Sequence, residues 1–385
     1  MRDKGEYIMR VMIAPDSFKG SLTALEVANH IKKGILKVFP NAEVLKVPMA
    51  DGGEGTVQSL VDATDGEIIV KDVTGPLGDK VAASFGILGN GKTAVIEMAT
   101  ASGLPLVPED KADPSITTTY GTGELIKHAL DQGIKELIIG IGGSATNDAG
   151  VGMAQALGAS FRDEDGLEIG FGGGELDKIK EIDLSNLDKR IKEININVAC
   201  DVTNPLYGPE GAAYIYGPQK GADQKMVELL DKNLRYFAEV VKKSLNIDLQ
   251  SIPGAGAAGG LGAGLFAFLK AELKSGVDIV LEANKFEEKL SGVNLVITGE
   301  GKIDGQTVQG KTPVGVAKKA KEKNIPVIAV AGMVAESAEE VYQAGIDTCF
   351  SITQRPLTLE EAMNKSGEWL EMVSEQIMRL YKINS

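Results

Sequence analysis

VMIAPD (11–16), SLTALEVANHIKKGILKVF (21–39) and AEVLKVPMA (42–50) follow one another directly. The first and third are β-rich apolar runs. The second carries Leu25, Ala28, Ile31, Ile35 and Val38 at helical spacing. Ser21 is the expected N-cap. With a short helix expected over 55–63, the pattern is βαβα, which implies a parallel sheet with right-handed crossovers. The C-terminal quarter alternates alike: strand 294–298, helix 313–323, strand 326–332, helix 336–344, strand 347–353 and helix 358–382. The two ends read as halves of one doubly wound Rossmann-like domain.

The middle differs. EIIVKDV, KVAASFGIL and TAVIEMA (within 67–99) follow one another with no helix between them. Then come helix 121–132, strand 136–142, helix 148–157, a hairpin at Asp165-Gly166, strand 194–201, a further strand at 212–217 and a long helix 223–245. This predicts an α/β chain of two domains. A discontinuous doubly wound domain (1–66 and 255–385) carries an inserted mixed α/β domain (67–254), with a cleft between them.

Composition narrows the chemistry. The chain has 385 residues, 47 glycines, two histidines, two cysteines and a net charge of −14. That length favours two domains. The acidic balance argues against a nucleic-acid partner or a membrane surface. Two cysteines make neither a disulfide framework nor a structural zinc site. Two histidines, both expected inside amphipathic helices, leave little room for His-dependent catalysis. MRDKGEYIMR has no apolar core and no stretch suits a membrane span, so a cytoplasmic protein is expected, with Met1–Tyr7 as an extension.

Several segments suit an anionic ligand. GIGGSATNDAG (140–150) ends a strand and offers Gly143, Ser144 and Asn147 to a phosphate as a ready cradle at a helix start; ordinary capping by Asn147 or Asp148 is the lesser alternative. GAGAAGGLGAG (254–264) contains G-x-G-x-x-G, but no convincing strand precedes it and no ribose-binding acid follows. Gly256, Gly259 and Gly260 therefore serve either close helix packing or an amide nest for an anion. GILGNGKT (86–93) matches a P-loop pattern in a hairpin context and reads as a turn. GQTVQGKT (305–312) has a strand before it and a helix after it, but six residues separate strand from loop. Phosphate contact from Lys311 remains reasonable there.

Acids cluster after expected strands: Asp16, with Ser17 and Lys19 beside it; Asp51 and Glu54; Asp201; and Glu300 and Asp304, with Lys302 between. Ligands in open α/β sheets bind beyond the carboxyl ends of strands. Of seven arginines only Arg355 directly follows an expected strand. Carboxylates, amide cradles and few histidines fit phosphoryl transfer, which needs positioning and charge stabilisation more than a potent nucleophile. Carboxylates can hold Mg²⁺, and one Asp can accept a hydroxyl proton.

APDSFKGSLTALEVA (14–28), PMADGGEGT (48–56), IGGSATNDAGVGMAQALG (141–158), ACDVTNPLYGPEGAAYIYGPQKGA (199–222), GAGAAGGLGAGL (254–265) and TGEGKIDGQT (298–307) resemble the type-1 glycerate kinase family, in family order. The resemblance spans about residues 10–380. It implies ATP- and Mg²⁺-dependent phosphorylation of D-glycerate, with 2-phosphoglycerate as the product. A kinase of another small hydroxy acid is the alternative, and a non-catalytic anion binder a weaker one. Within this frame the expected catalytic residues are Asp304, Asp201, Lys19 and Asp16, with the base open among the three aspartates. Substrate contacts fall to Ser17, Lys19, Asp51 and Arg355. Phosphate contacts fall to Gly143, Ser144, Asn147, Gly256, Gly259, Gly260, Lys302 and Lys311. Metal contacts fall to Asp51, Glu54 and Glu300. Which glycine segment meets the phosphates, and whether copies associate, stay open.

Overall fold

The computed structural model describes residues 8–308 and 310–383; the extension expected at Met1–Tyr7 lies outside them. The strands are β1 (Arg10–Pro15), β2 (Glu43–Lys46), β3 (Glu67–Thr74), β4 (Lys80–Ile87), β5 (Thr93–Glu97), β6 (Glu136–Gly140), β7 (Ser160–Arg162), β8 (Glu181–Asp183), β9 (Asn195–Ala199), β10 (Glu272–Lys274), β11 (Leu295–Ile303), β12 (Val327–Val334) and β13 (Thr348–Ser351). Two compact units result. Of the described residues, one comprises 8–51, 58–64, 277–308 and 310–383; the other comprises Gly52–Val57 and Asp65–Gly276.

The first unit holds an all-parallel sheet in the order β13-β12-β11-β1-β2. Numbered along the chain this is 2-1-3-4-5, a doubly wound arrangement that reverses between β1 and β11. Residues 11–15 of β1 and 295–297 of β11 are continuous buried apolar runs, as expected of parallel strands covered on both faces. On one face the helix Ala24–Val38 packs with Leu359–Ile383 around Ile31, Ile35, Trp369, Leu370 and Ile377. The helices touch closely at Gly34, where a Cβ would lie 2.4 Å from the Glu371 carbonyl. Thr23, not Ser21, caps the first helix: its hydroxyl accepts from the Glu26 N–H and Glu26 accepts from the Thr23 N–H. Ser21 is held instead by Ser366 and the Met363 carbonyl.

The second unit holds a mixed sheet in the order β10-β9-β6-β5-β4-β3. β5, β6, β9 and β10 run parallel, and β3 and β4 complete it antiparallel. The 86–93 stretch is the β4–β5 hairpin turn, with Gly91 at φ 65°. Residues 212–217 are not a strand: Ala212–Tyr216 form a helical turn that buries Ala212 and Ala213. A short apolar run between glycines suits either form, and packing decides. The expected domain border near 254 moves to Gly276. The helical segment Ala257–Leu269, kinked at residues 258–260, buries Leu261, Leu265 and Phe268 in the second unit's core, which explains the shift.

β11 is longer than expected. Lys302 and Ile303 pair with Met333 and Val334 of β12, so GEGKI belongs to the strand. Glu300 therefore lies within β11, and Asp304 directly follows it.

Candidate active site

The carboxyl ends of β1 and β11 flank the point where the first sheet's order reverses, and Asp16 and Glu300 stand there. The Asp16 N–H donates to the Gly299 carbonyl at 2.8 Å, which fixes the acid beside β11. Its carboxylate accepts from the Thr312 hydroxyl at 2.6 Å and from the Ser17 N–H at 2.6 Å. Burial pushes the Asp16 carboxyl up to about 7; the bonds from Thr312 and Ser17 oppose this, and the charges of Asp51 and Glu300 add to it. Burial also raises Glu300, which accepts from the Thr307 hydroxyl at 2.7 Å and lies 3.6 Å from Lys311 Nζ. Asp51, five residues past β2, raises both acids electrostatically. The fold thus gathers Asp16, Asp51 and Glu300 with Lys311 and the hydroxyls of Thr307 and Thr312.

Asp304 differs. Its carboxylate pairs with Lys302 at 2.8 Å and accepts from the Gln306 N–H at 2.9 Å. Lys302 holds its carboxyl below the ordinary range, so it is a weak proton acceptor at neutral pH. Lys19 is exposed in the tight turn that joins Phe18 to Leu22, and Arg355 is exposed past β13. Glu54 belongs to the second unit, where its charge helps raise half-buried Glu97. The Glu97 carboxylate accepts from the Val57 N–H and so caps the helix Thr56–Thr64, a role its place at the end of β5 did not announce. Asp201 is exposed past β9 and accepts from the Gly276 N–H at 3.0 Å. Among the described residues, no three His, Cys, Asp or Glu side chains group so as to hold a metal ion.

The two glycine segments that sequence left as alternatives meet in the second unit. The Ala149 N–H donates to the Gly259 carbonyl at 3.1 Å. A Cβ on Gly259 would lie 1.9 Å from the Thr146 carbonyl, and one on Gly260 would lie 2.9 Å from Ala149 Cα. Ala258, Gly259 and Gly260 all take left-handed backbone, as do Ala149 and Gly150. Left-handed alanines are costly and persist only where the surroundings impose them. Gly256 approaches the Pro205 carbonyl as closely. Close packing is thus real at these glycines.

Behind the turn lies a residue the spacing did not single out. Lys220, 2% exposed, donates to Ser144 Oγ at 2.7 Å and to the Thr146 carbonyl at 2.6 Å. Burial pulls its ammonium down to about 7, opposed by the charge of Asp148. Asp148 is buried and accepts from the N–H groups of Thr119, Gly150 and Gly152 and from the Thr119 hydroxyl. The buried Thr146 hydroxyl and Asn147 amide have no hydrogen-bond partner among the described residues. The one local hint was a lysine enclosed in PQKGA (218–222), where Pro218 and Gly221 mark a turn.

Comparison with known proteins adds the decisive observation. The model of the Glycerate kinase family matches residues 11–382. The chain belongs to the glycerate kinase family. It is 56% identical over 375 residues to a glycerate kinase of Bacillus subtilis, covering 97% of this chain and 98% of that one. It is 57% identical over 354 residues to the glycerate 2-kinase of Escherichia coli, covering 92% and 93%. A crystal structure named for glycerate kinase 2 of Salmonella typhimurium LT2 superposes with a TM-score of 0.92 at 49% identity, covering 98% of this chain and 99% of that one. The family assignment makes this a kinase with an alcohol acceptor, and ATP the phosphoryl donor. Among the described residues no helix is long and apolar enough to cross a membrane.

Proposed function

We propose that the chain transfers the γ-phosphoryl group of ATP to the C2 hydroxyl of D-glycerate, giving 2-phosphoglycerate and ADP, with Asp16 as the general base. The observation that carries this reading is Asp16 itself. It stands at the sheet's switch point, its orientation is set by Thr312 and Ser17, and its carboxyl is pushed up to about 7. A base tuned near the working pH is effective. As the hydroxyl oxygen bonds to the γ-phosphorus, its proton passes to Asp16 and the bond from that phosphorus to the β-phosphate bridging oxygen breaks.

Lys311 and Lys302 balance negative charge on the transferring group, and Lys19 and Arg355 receive the glycerate carboxylate. Gly143, Ser144 and Asn147, with Gly259 and Gly260 packed behind, receive the nucleotide phosphates. Asp51 and Glu300 would hold Mg²⁺. The mutual repulsion of Asp16, Asp51 and Glu300 suits a cation. Mg²⁺ commonly uses only one or two carboxylates together with substrate phosphates, where it neutralises charge. The cytoplasm, with its ATP and reduced thiols, is the compartment this chemistry needs.

The test is ATP consumption with D-glycerate beside a panel of other small hydroxy acids, followed by NMR of the product. Preferred turnover of D-glycerate, with phosphorus coupled to the C2 proton, is expected. A 3-phosphorylated product would remove the regiochemistry, and preference for another acid would remove the substrate. Asp304→Asn separates two candidate bases: kcat is expected to stay within about tenfold, because Lys302 already holds that carboxylate. A loss of several orders of magnitude would return the base role to Asp304.

A further inference from the structure

Lys220 is among the largest fully buried side chains of the described residues, and the proton transfer to Asp16 does not use it. A buried lysine needs a reason, because removing an ammonium from water is costly unless it is bonded or paired. Two of its three N–H bonds go to consecutive points of one turn, Ser144 Oγ and the Thr146 carbonyl. Ser144 accepts that bond, so its own hydroxyl proton remains for another acceptor. An oxygen that accepts from an ammonium donates more strongly in turn. Next to it the Thr146 hydroxyl and the Asn147 amide are buried without partners, while Gly142 and Gly143 are exposed at the turn's tip. Unpaired buried polar groups are rare in cores, so these two mark a place where a further polar group is taken up.

We propose that Lys220 is a positioning residue for the phosphates of ATP, acting through Ser144, whose hydroxyl it holds and polarises for donation to a phosphate oxygen. This rests on the reading that the 142–147 turn receives the nucleotide. Asp148, buried in the same turn, is the charged group acting on Lys220, and its charge opposes the loss of the ammonium to burial. An arriving phosphate adds a second negative charge in front of the turn. The spent nucleotide, ADP, uses the same contacts.

The experiment is steady-state kinetics of Lys220→Met, Ser144→Ala and the double variant, with KM measured for ATP and D-glycerate separately and melting curves recorded for each. Methionine keeps the length of the lysine and suits a buried site. Each single variant is expected to raise KM for ATP about tenfold or more, the scale of a lost charge-assisted hydrogen bond, with KM for D-glycerate within about twofold. The double variant is expected to be no worse than Ser144→Ala, since both changes break one chain of donors. If Ser144→Ala raises KM for ATP and Lys220→Met does not, the relay is wrong while the nucleotide reading stands. If neither raises it, both fall. Penalties that multiply in the double variant, or equal rises in both KM values, also overturn the proposal. Should Lys220→Met not fold, Lys220→Leu, which likewise cannot donate, is read by the same criteria.

Discussion

Asp16→Asn is expected to lower kcat by about 10²–10⁴-fold, the usual worth of general base catalysis. The substitution is nearly isosteric. Its amide oxygen can still accept from the Ser17 N–H, and its amide N–H can donate to Thr312 Oγ1, so the local geometry survives. What is lost is the proton acceptor. In the parent enzyme, activity should rise with pH up to about 7 and level off above it, as Asp16 loses its proton. That limb should vanish from the kcat/KM profile of the variant. The same substitution should stabilise the protein. The folded-state value lies above the ordinary 3.8, so the charged form disfavours folding. The cost is absent below about pH 4, grows as pH rises, and is complete above about 7, on the order of 4 kcal/mol. The variant should therefore melt higher than the parent at pH 8 and match it near pH 4. A kcat within tenfold of the parent, or a limb near pH 7 that persists, would show that another group takes the proton.

The second large effect is on stability. Asp148→Ala removes a buried carboxylate that accepts from three backbone N–H groups and one hydroxyl. It also leaves the Lys220 ammonium without the charge that opposes its deprotonation. Removing one side of a buried charged network costs about 3–5 kcal/mol, because the remaining polar groups stay buried and unpaired. The chain has two compact units, so a single unfolding transition is a poor measure. Amide hydrogen exchange in β5, β6 and β9, the strands nearest the turn in the second unit's sheet, reads the loss locally. Opening free energies there should fall by about 3–5 kcal/mol. A fall below about 1 kcal/mol would mean that the turn is held by its glycine packing, not by Asp148. Asp148→Asn should lie between, since one amide oxygen can replace only part of the acceptor set.

Much of this was legible along the chain. Helical and strand periodicities located β1, β2, β12 and the long helices, because each reports which faces are buried. Asp16 and Glu300 were legible as acids near strand ends, the side of an α/β sheet where ligands bind. Asp304 looked equivalent to Asp16 in sequence. It differs because Lys302, two residues away on the final pair of β11, holds its charge, whereas Asp16 is enclosed by Thr312 from 296 positions later. The glycine segments looked like rivals because 254–264 and 140–150 are far apart in sequence. Their contact at Ala149 and Gly259 makes them parts of one structure.

The alternation of apolar runs and helical stripes, and the motif blocks in their order, were sufficient for a doubly wound α/β chain with an inserted mixed domain and for its kinase family. Those properties are encoded locally, in spacing and in residue type. The order 2-1-3-4-5, the full length of β11, the helical state of 212–216, the crossing at Gly276 and the burial of Lys220 against Ser144 were not. Each depends on pairing between residues far apart in the chain, and periodicity says which face is buried without saying against what. The titration of Asp16 belongs to the same class, since burial and the neighbouring charges of Asp51 and Glu300 exist only once the strands have assembled.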